Sequence, residues 1–374
     1  MSAKFPTPIV QFGTSRFLQA HFDLFIDEAL ANNQAVGPVT VVQSSGDASR
    51  ANRLAALAAD EGYPVHVRGL ENGVIVDRQQ QVKSVTRTLS TATDWPKIAA
   101  IVVNEAEYIV SNTGDAGYAP QPADTGREFD QAMSFPAKLR LLLKERFLAH
   151  GRPITILPME LVPGNGAVLR SCILALGAND DSDFLDWLEH RVIWANSLVD
   201  RIVSEPIEPA GAVCEPYALW AVEQQAGLVL PCTHPAIELV ETLDDIEALK
   251  LFILNLGHTW LAGRWQHLGS NPEMSVVKFL KDPQIMAALN DLYENEVIPG
   301  FAAAGMEDRA RSYLATTLDR FRNPFLDHRL ADIAQNHRQK IERRIQGFIH
   351  WAQSHGDTTK KPILAAMTHK VPAP

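Results

Sequence analysis

Hydrophobic positions in the first part of the chain alternate between short continuous runs and helical spacing. Ile9–Phe12 and Val39–Val42 are short apolar runs, the first ended by a glycine. Between them, apolar side chains recur every three or four residues from Phe17 to Leu30. The pattern predicts a strand, a tight turn, a helix and a second buried strand.

The same alternation continues through the middle of the chain. Val65–Arg68 and Val74–Asp77 flank an Asn-Gly turn, which is typical of a β-hairpin. Tyr108–Ser111 and Ile154–Leu157 are predicted strands, and Ala137–Leu148 between them is a predicted helix. Strands that alternate with helices favour a doubly wound parallel sheet.

The pattern changes near residue 240, where extended β-branched runs nearly vanish. Helical spacing then covers 243–265, 283–293, 307–320 and 329–353. The sequence therefore predicts an α/β Rossmann-type domain with a parallel sheet over residues 1–238, followed by an all-α domain over 239–374. The last residues, 368–374, are expected to fray.

Composition narrows the class of protein. The 374 residues carry a net charge of −10, which argues against a nucleic-acid or anionic membrane partner. The three cysteines form no CxxC pair, so neither a disulfide framework nor a thiolate metal site is indicated. The first residues do not resemble a signal peptide, and no apolar run approaches the roughly 20 residues that span a bilayer. We expect a cytoplasmic protein.

The turn after the first predicted strand is a candidate phosphate-binding site. Gly13, Thr14, Ser15, Arg16 and Phe17 stand where a dinucleotide-binding fold has its glycine-rich turn. The second glycine of that motif is a serine here, so a strict GxGxxG is absent. The arginine could offset this by contacting phosphate. An ordinary strand-to-helix turn is the alternative.

The end of the second predicted strand bears on the choice of cofactor. Gln43 and Ser44 follow the strand, and no acidic residue that could bind the ribose diol of NAD occurs before Asp47. Arg50 lies nearby and could face a 2′-phosphate. The residues alone leave NAD and NADP open.

The Tyr108–Ser111 strand ends in small polar residues that continue beyond it. Ser111, Asn112 and Thr113 stand at the carboxyl edge of the predicted sheet, where such folds bind ligands. They would suit a nicotinamide ribose. A turn cap is the alternative interpretation.

The most informative stretch of the chain is Lys250-Leu-Phe-Ile-Leu-Asn255-Leu-Gly-His258. On an α-helix, His258 would lie about 80° and Asn255 about 140° round from Lys250, so the three share one broad face. A desolvated lysine can accept the proton of a secondary alcohol, while an amide and an imidazole N–H can hold the developing oxyanion. The alternative is a surface lysine, a capping asparagine and a core histidine.

Taken in order, these pieces resemble the mannitol dehydrogenase superfamily of polyol-specific long-chain dehydrogenases. The array K-x4-N-x2-H is that family's catalytic signature. The resemblance covers nearly the whole chain and rests on QFGTSRFLQAHFD, VRGLENG, LSTATDW, VSNTGDAG, FPAKLRLLL, LPMELVPGNG, NSLVDRI, EPYALW, the array itself and RFRNPFLDHRL.

The resemblance implies zinc-independent hydride transfer with NAD, or less often NADP, and no metal. Lys250 then resembles the family's general base, and Asn255 and His258 its carbonyl-orienting pair. Asp200, in NSLVDRI, resembles an acidic residue that relays the proton or holds the substrate. A salt bridge to Arg201 is the alternative for this aspartate.

Two features qualify the substrate that the resemblance implies. Glu160-Leu161 replaces the Asp-Asn pair of mannitol-type members and is closer to tagaturonate and fructuronate reductases. The chain is nevertheless short for that branch, with a length nearer to mannitol-1-phosphate dehydrogenases. Arg320, Asn323 and His328 would line the substrate site, with a helix-cap network as the alternative.

We therefore predict an NAD(P)-dependent oxidoreductase that interconverts a secondary alcohol of a linear polyol or hexonate and the corresponding ketose or keto-uronate. Two alternatives are a catalytically silent dinucleotide-binding regulator and an epimerase with tightly bound NAD. The partner is expected to be a small-molecule substrate, and the protein a monomer or homodimer.

Overall fold

A computed structural model describes residues 6–269 and 271–368, with the side chains of 115 and 116 left aside. The predicted fraying after residue 368 lies outside these residues, as does the start of the N-terminal segment. The chain divides into two compact units. The Rossmann unit runs up to Val67 and includes Arg78–Cys214 and Ala218–Leu243, and the helical unit comprises Arg68–Asp77, Glu215–Tyr217 and the chain from Asp244.

The Rossmann unit is built on a central parallel sheet of six strands, which lie side by side in the order Val85–Ser90 (β5), Val39–Gln43 (β2), Ile9–Phe12 (β1), Tyr108–Ser111 (β6), Ile154–Pro158 (β7) and Val192–Trp194 (β8). This is the order of a doubly wound nucleotide-binding sheet, whose switch point lies between β1 and β6. The predicted fold class is confirmed. The strands are β1 Ile9–Phe12, β2 Val39–Gln43, β3 Tyr63–Glu71, β4 Val74–Val82, β5 Val85–Ser90, β6 Tyr108–Ser111, β7 Ile154–Pro158, β8 Val192–Trp194, β9 Ser197–Asp200, β10 Val203–Pro206, β11 Ala212–Cys214, β12 Leu219–Glu223 and β13 Ile237–Val240.

The remaining strands form two smaller sheets, β10-β11-β3-β4 and β13-β12-β9. Strands β3 and β4 are the predicted hairpin. Asn72 and Gly73 connect them with φ values of 53° and 74°, the left-handed pair that a two-residue hairpin turn requires. Residues 68–77 of this hairpin belong to the helical unit, and no pattern in the sequence indicated that grouping.

Helices cover the central sheet. The single helix predicted over Phe17–Leu30 is wrong in one respect, because His21 adopts φ −125° and ψ −84° and divides it in two. The helices of this unit are α1 Arg16–Ala20, α2 Phe22–Ala31, α3 Ala51–Leu57, α4 Thr91–Asn104, α5 Phe135–Ala149, α6 Asn165–Leu176 and α7 Ser182–His190, with 3₁₀ turns at Ala48–Arg50, Asp115–Tyr118 and Pro122–Thr125.

The helical unit contains α-helices interrupted by π-helical turns. Predicted helices at 283–293 and 307–320 are confirmed, whereas the one at 329–353 is interrupted before Asn336, whose φ is 54°. The helices are α8 Asp244–Leu249, α9 Leu256–His267, α10 Val276–Phe279, α11 Pro283–Leu292, α12 Ile298–Ala303, α13 Glu307–Phe321, α14 Leu330–Ile333, α15 His337–Ile341, α16 Gly347–Ser354 and α17 Pro362–Thr368. The π turns are Lys250–Asn255, Tyr293–Val297 and Glu342–Gln346.

Candidate functional site

The parallel strands bring three predicted segments to one edge of the Rossmann unit. The register pairs Phe12 with Ser111 and Ser111 with Pro158, so β1, β6 and β7 end side by side. The Gly13 turn, the Ser111–Thr113 segment and Glu160 therefore follow neighbouring strand ends. This is the edge at which such sheets bind ligands.

Gly13 is a glycine because of its neighbour across the switch point. Its φ is 126°, and a Cβ here would lie 2.5 Å from the backbone oxygen of Asn112. Ser15 begins helix α1, and its Oγ accepts a hydrogen bond from Leu18 N at 3.2 Å. The same hydroxyl donates to Oδ1 of Asn112 at 3.4 Å, which links the two turns. Thr14 between them is buried.

Arg16, predicted to contact phosphate, is engaged within the protein. Its guanidinium donates to Oε1 of Glu208 at 2.6 Å and to the carbonyl of Gly211 at 3.1 Å. Glu208 is 68% exposed, so water screens this ion pair and weakens it. A phosphate role stays a prediction. Phe17 stacks on His21 with ring centroids 4.6 Å apart.

The residues after β2 form a compact turn. Nε2 of Gln43 donates to the carbonyl of Asp47 at 2.8 Å. The carbonyl of Ser44 accepts from Nζ of Lys138 at 3.1 Å. The carboxylate of Asp47 lies 3.3 Å from Nε of Arg50, and hydrogen bonds from Ser49 lower the pKa of Asp47. The arginine considered for a 2′-phosphate is thus already paired with a carboxylate.

Glu160, itself a predicted substrate residue, binds two of the predicted cofactor residues, Ser111 and Thr113. Its buried carboxylate accepts from Ser111 Oγ at 3.1 Å, from Thr113 N at 2.9 Å and from the Tyr118 hydroxyl at 2.9 Å. Burial, followed by the Glu160 charge, raises the pKa of Tyr118, which keeps the phenol a donor. Asn112 donates to the carbonyl of Met159 at 2.7 Å. Glu160 therefore fixes the segment after β6.

Sequence reasoning missed two residues that support this edge. Tyr118 follows the NTGDAG motif closely, and its aromatic ring next to a polar turn was the available signal. Asn165 is fully buried, and its Nδ2 donates to the carbonyls of Pro158 and Glu160 at 3.0 and 3.1 Å. No spacing rule marks such an asparagine before the turn is seen. Asp200, the predicted acidic site residue, is buried at the end of β9.

In the helical unit, the predicted catalytic array begins on a π turn. Lys250–Asn255 is π-helical and leads into α9, which carries His258. The α-helical geometry expected from the sequence is therefore wrong for the first two residues. Hydrogen bonds of the π type join residues five apart, so Lys250 and Asn255 lie one turn apart instead of about 140° round the axis. π turns of this kind occur frequently at functional sites.

His258 lies in an aromatic and cationic environment. Its ring packs against Phe321 at 4.5 Å and edge-on against His328 at 4.7 Å. Burial, and then the neighbouring charges of His328, Arg320, Arg344 and Lys340, hold the pKa of His258 well below 6.5. The imidazole is therefore neutral near pH 7 and can donate a single N–H to an oxygen.

Two of the predicted substrate residues bind elsewhere in the helical unit. Arg320 forms a bidentate ion pair with Glu215, with distances of 3.0 and 2.8 Å, and stacks on Tyr217 at 4.5 Å. Asn323 donates to the carbonyl of Arg68 at 3.3 Å. His328 packs on His258, and its role in binding substrate stays a prediction. Burial lowers the pKa of His328 as well.

Two cations near His258 were not predicted. Nη1 of Arg344 donates to the carbonyl of Asn255 at 3.3 Å, and Nζ of Lys340 donates to the carbonyl of Ile333 at 2.7 Å. Burial lowers the pKa of both. Within the described part of the helical unit, neither has a carboxylate partner in an ion pair. Their spacing of four residues on a helix was the only available signal.

A cavity of about 630 Å³ lies at the far end of α9 and does not include the predicted array. It is lined by Trp260, Arg264, Ile341, Ile363 and Met367, among others. The described residues contain no cluster of potential metal ligands, and none of their helices could cross a membrane.

The curated relatives that match this chain include several altronate oxidoreductases. The altronate oxidoreductase of Halalkalibacterium halodurans is 29% identical over 369 residues, which cover 92% of this chain and 70% of the relative. The altronate oxidoreductase of Bacillus subtilis is 26% identical over 389 residues, covering 97% of this chain and 78% of the relative. These names confirm the predicted oxidoreductase class.

Solved structures show the same fold. D-sorbitol dehydrogenase in substrate-free form superposes with a TM-score of 0.75 at 18% identity, covering 94% of this chain and 80% of that one. Mannitol 2-dehydrogenase from Pseudomonas fluorescens, in complex with NAD and D-mannitol, gives a TM-score of 0.69 at 17% identity, covering 98% and 84%.

Two family models account for most of the sequence. The mannitol dehydrogenase Rossmann domain matches residues 7–230, and the mannitol dehydrogenase C-terminal domain matches residues 242–369. The chain therefore belongs to the mannitol dehydrogenase family.

Proposed function

We propose that the protein is an NAD-dependent dehydrogenase that interconverts a secondary alcohol of a linear hexonate or polyol and the corresponding ketone. The observation that carries this proposal is the array at the start of α9: Lys250 and Asn255 lie one π turn apart, and a buried, neutral His258 follows on α9. The altronate oxidoreductase names of the relatives support a hexonate over a neutral hexitol.

Each residue of the array supplies one part of the reaction. Lys250 takes the hydroxyl proton as the alcohol becomes a ketone, and returns it in the reverse direction. The amide of Asn255 and the N–H of His258 hold the oxygen on which charge develops. Because His258 is already neutral, it contributes a directed dipole without repelling the lysine. Asp200 remains our candidate for proton relay.

The edge of the Rossmann unit fits a dinucleotide. Gly13 lets the first turn approach Asn112, and Glu160 holds Ser111 and Thr113 beside it. NAD, when bound, supplies the acceptor for the hydride. Asp47 lies 3.3 Å from Arg50, and a negative charge beside this arginine disfavours a 2′-phosphate there. We therefore favour NAD over NADP.

The charges around His258 support an acidic substrate. Lys340 and Arg344 are partly buried cations whose pKa values are lowered by burial. A carboxylate at one end of the substrate would relieve their repulsion. Arg320 and Asn323 remain predicted substrate residues, although their present partners favour a supporting role. His328 is the predicted substrate residue in contact with the array.

We also propose where the enzyme is located and how it assembles. The net charge of −10 supports a cytoplasmic protein without a nucleic-acid or membrane partner, and a monomer or homodimer is the assembly we expect. Light scattering of the purified protein measures that assembly directly.

The test is a panel of hexonates, hexitols and pentitols, each assayed with NAD and with NADP at 340 nm, with and without EDTA. We expect turnover with NAD, a higher kcat/KM for a hexonate than for its hexitol, and no effect of EDTA. Absence of turnover across the panel would refute the activity. A tenfold preference for NADP would refute the choice of cofactor.

A further inference from the structure

The π turn that carries Lys250 and Asn255 is contacted from outside the helix by a tyrosine hydroxyl. Tyr293, at the start of the second π turn, is fully buried, and its hydroxyl donates to the carbonyl of Ile253 at 2.8 Å. Ile253 lies inside the Lys250–Asn255 turn and is itself fully buried. A group inserted against the hydrogen-bond ladder is one of the few causes of an irregular helix.

A glycine makes room for this hydroxyl. A Cβ built on Gly257 would lie 1.9 Å from the Tyr293 oxygen and 3.0 Å from a ring atom of Phe321. The phenol therefore occupies the space that a side chain at position 257 would fill. This position is one residue before His258, so the hydroxyl reaches the helix between the two ends of the catalytic array.

A second contact holds the other end of the turn. The carbonyl of Asn255 accepts from Oγ1 of Thr259 at 2.9 Å and from Nη1 of Arg344 at 3.3 Å. Arg344 also donates to Oγ1 of Thr259 at 3.1 Å. Arg344 comes from the third π turn, Glu342–Gln346. Thus the first π turn receives a hydrogen bond from each of the other two.

We propose that Tyr293 is a positioning residue for the reaction: its hydroxyl, wedged over Gly257 onto the carbonyl of Ile253, sets the π-helical spacing that places Lys250 and Asn255 one turn apart. The inference rests on the proposed function of the array. Tyr293 touches neither substrate nor cofactor in this role. Burial raises the pKa of its phenol, so the group stays protonated and remains a donor.

The decisive variant is Tyr293→Phe, which removes one oxygen and leaves the ring in place. Its matched control is Tyr108→Phe, which removes the same atom from a buried tyrosine of the Rossmann unit. With saturating NAD and the best substrate of the panel, we expect kcat of Tyr293→Phe to fall on the order of 10- to 100-fold, because small misplacements of reacting groups have effects of that size. KM should change little, and the pH profile of kcat should shift because the base is displaced.

If Tyr293 had a purely structural role, Tyr293→Phe would lower the melting temperature, but kcat and its pH profile would be unchanged in the folded enzyme. That result would overturn the proposal. Activity of the parent enzyme is measured first, so a failure of the proposed function appears before any variant is compared.

Two further measurements do not depend on turnover. Backbone amide exchange in residues 250–258 should accelerate in Tyr293→Phe and not in Tyr108→Phe, and unchanged exchange would contradict the inference. Gly257→Ala should fold poorly, and adding Tyr293→Phe should recover part of the soluble yield, because the oxygen at 1.9 Å is then gone. Equal yields with and without the second change would also contradict it.

Discussion

The predicted cofactor edge of the Rossmann unit and the predicted catalytic helix of the helical unit are stabilised in different ways. At the edge of the sheet, one buried carboxylate, Glu160, accepts hydrogen bonds from Ser111 at the end of β6 and from Thr113 and Tyr118, which follow that strand. On the catalytic helix, the donors are Tyr293 and Arg344, which lie 40 and 89 residues away from the carbonyls they bind. The first arrangement follows from strand order, whereas the second depends on how separate helices pack.

Burial shifts the pKa of one group in each region, upward in the Rossmann unit and downward in the helical unit. Burial raises the pKa of Asp23, on helix α2 of the Rossmann unit, to about 7, so this carboxyl becomes neutral by gaining a proton. Burial lowers the pKa of His258, which becomes neutral by losing one. In both places the interior disfavours the charged form. Acidification should therefore increase the contribution of Asp23 to folding stability and decrease that of His258.

The largest loss of folding stability is expected from Arg320→Ala in the helical unit. The Arg320–Glu215 pair is almost completely buried, with side chains 3% and 2% exposed. Removal of the arginine takes the bidentate cationic partner away from a buried carboxylate, which should cost about 3–5 kcal/mol of stability. The neighbouring Arg322→Ala is the control, since its pair with Asp319 involves a side chain that is 48% exposed. Urea unfolding measures both variants.

The same variant distinguishes two roles for Arg320. If the guanidinium is held by Glu215, KM should change equally for a hexonate and its hexitol. A KM increase confined to the hexonate would instead identify Arg320 as the carboxylate-binding residue. Stability within about 1 kcal/mol of Arg322→Ala, the range of an exposed pair, would contradict the structural role.

A smaller effect is expected from Glu160→Gln in the Rossmann unit. The amide retains one acceptor oxygen, but its NH₂ faces donors from Ser111 or Thr113 and cannot accept from them. We expect a loss of about 1–3 kcal/mol in stability, because a buried donor is left unsatisfied. NADH affinity, measured by fluorescence titration, should weaken with it. The exposed Glu128→Gln is the control, and an NADH affinity equal to that of the control would separate Glu160 from the cofactor site.

The smallest expected effect is on the pH dependence of folding stability. The pKa of Asp23 is about 7 in the folded state against 3.8 as a model group, so the folded state binds the extra proton and this contribution is lost as pH rises toward 7. The pKa of His258 lies below 6.5 when folded, so only the unfolded chain takes up a proton in mild acid, and this contribution to stability grows as pH rises. The two contributions oppose each other between about pH 5.5 and 6.5.

Single variants should expose each contribution. In Asp23→Asn the stability should rise with pH relative to the parent across that interval, and in His258→Asn it should fall, each by on the order of 1 kcal/mol per pH unit. Urea titrations at both ends of the interval test this. Parallel pH dependence in parent and variants would show that neither group titrates as described.

The two regions also differ in how much of their structure the sequence predicts. Strand runs such as Ile9–Phe12 and Tyr108–Ser111 appear at their predicted places, because burial in a parallel sheet leaves a clear local pattern. The residues of the proposed catalytic array were predicted from their types and spacing. Their geometry was not, because a π turn has the same local pattern as an α-helix. It depends on Tyr293 and Gly257, and neither forms a motif with Lys250.

The central claim is that Lys250 is the base of an NAD-dependent alcohol oxidation. The most direct measurement is stopped-flow formation of NADH at 340 nm after enzyme saturated with NAD is mixed with the best hexonate. Lys250→Ala is compared with the parent and with the exposed Lys281→Ala. The account predicts that Lys250→Ala binds NAD like the parent but forms NADH on the order of 10² to 10⁴ times more slowly, while Lys281→Ala matches the parent. A Lys250→Ala rate within a few-fold of the parent would contradict it.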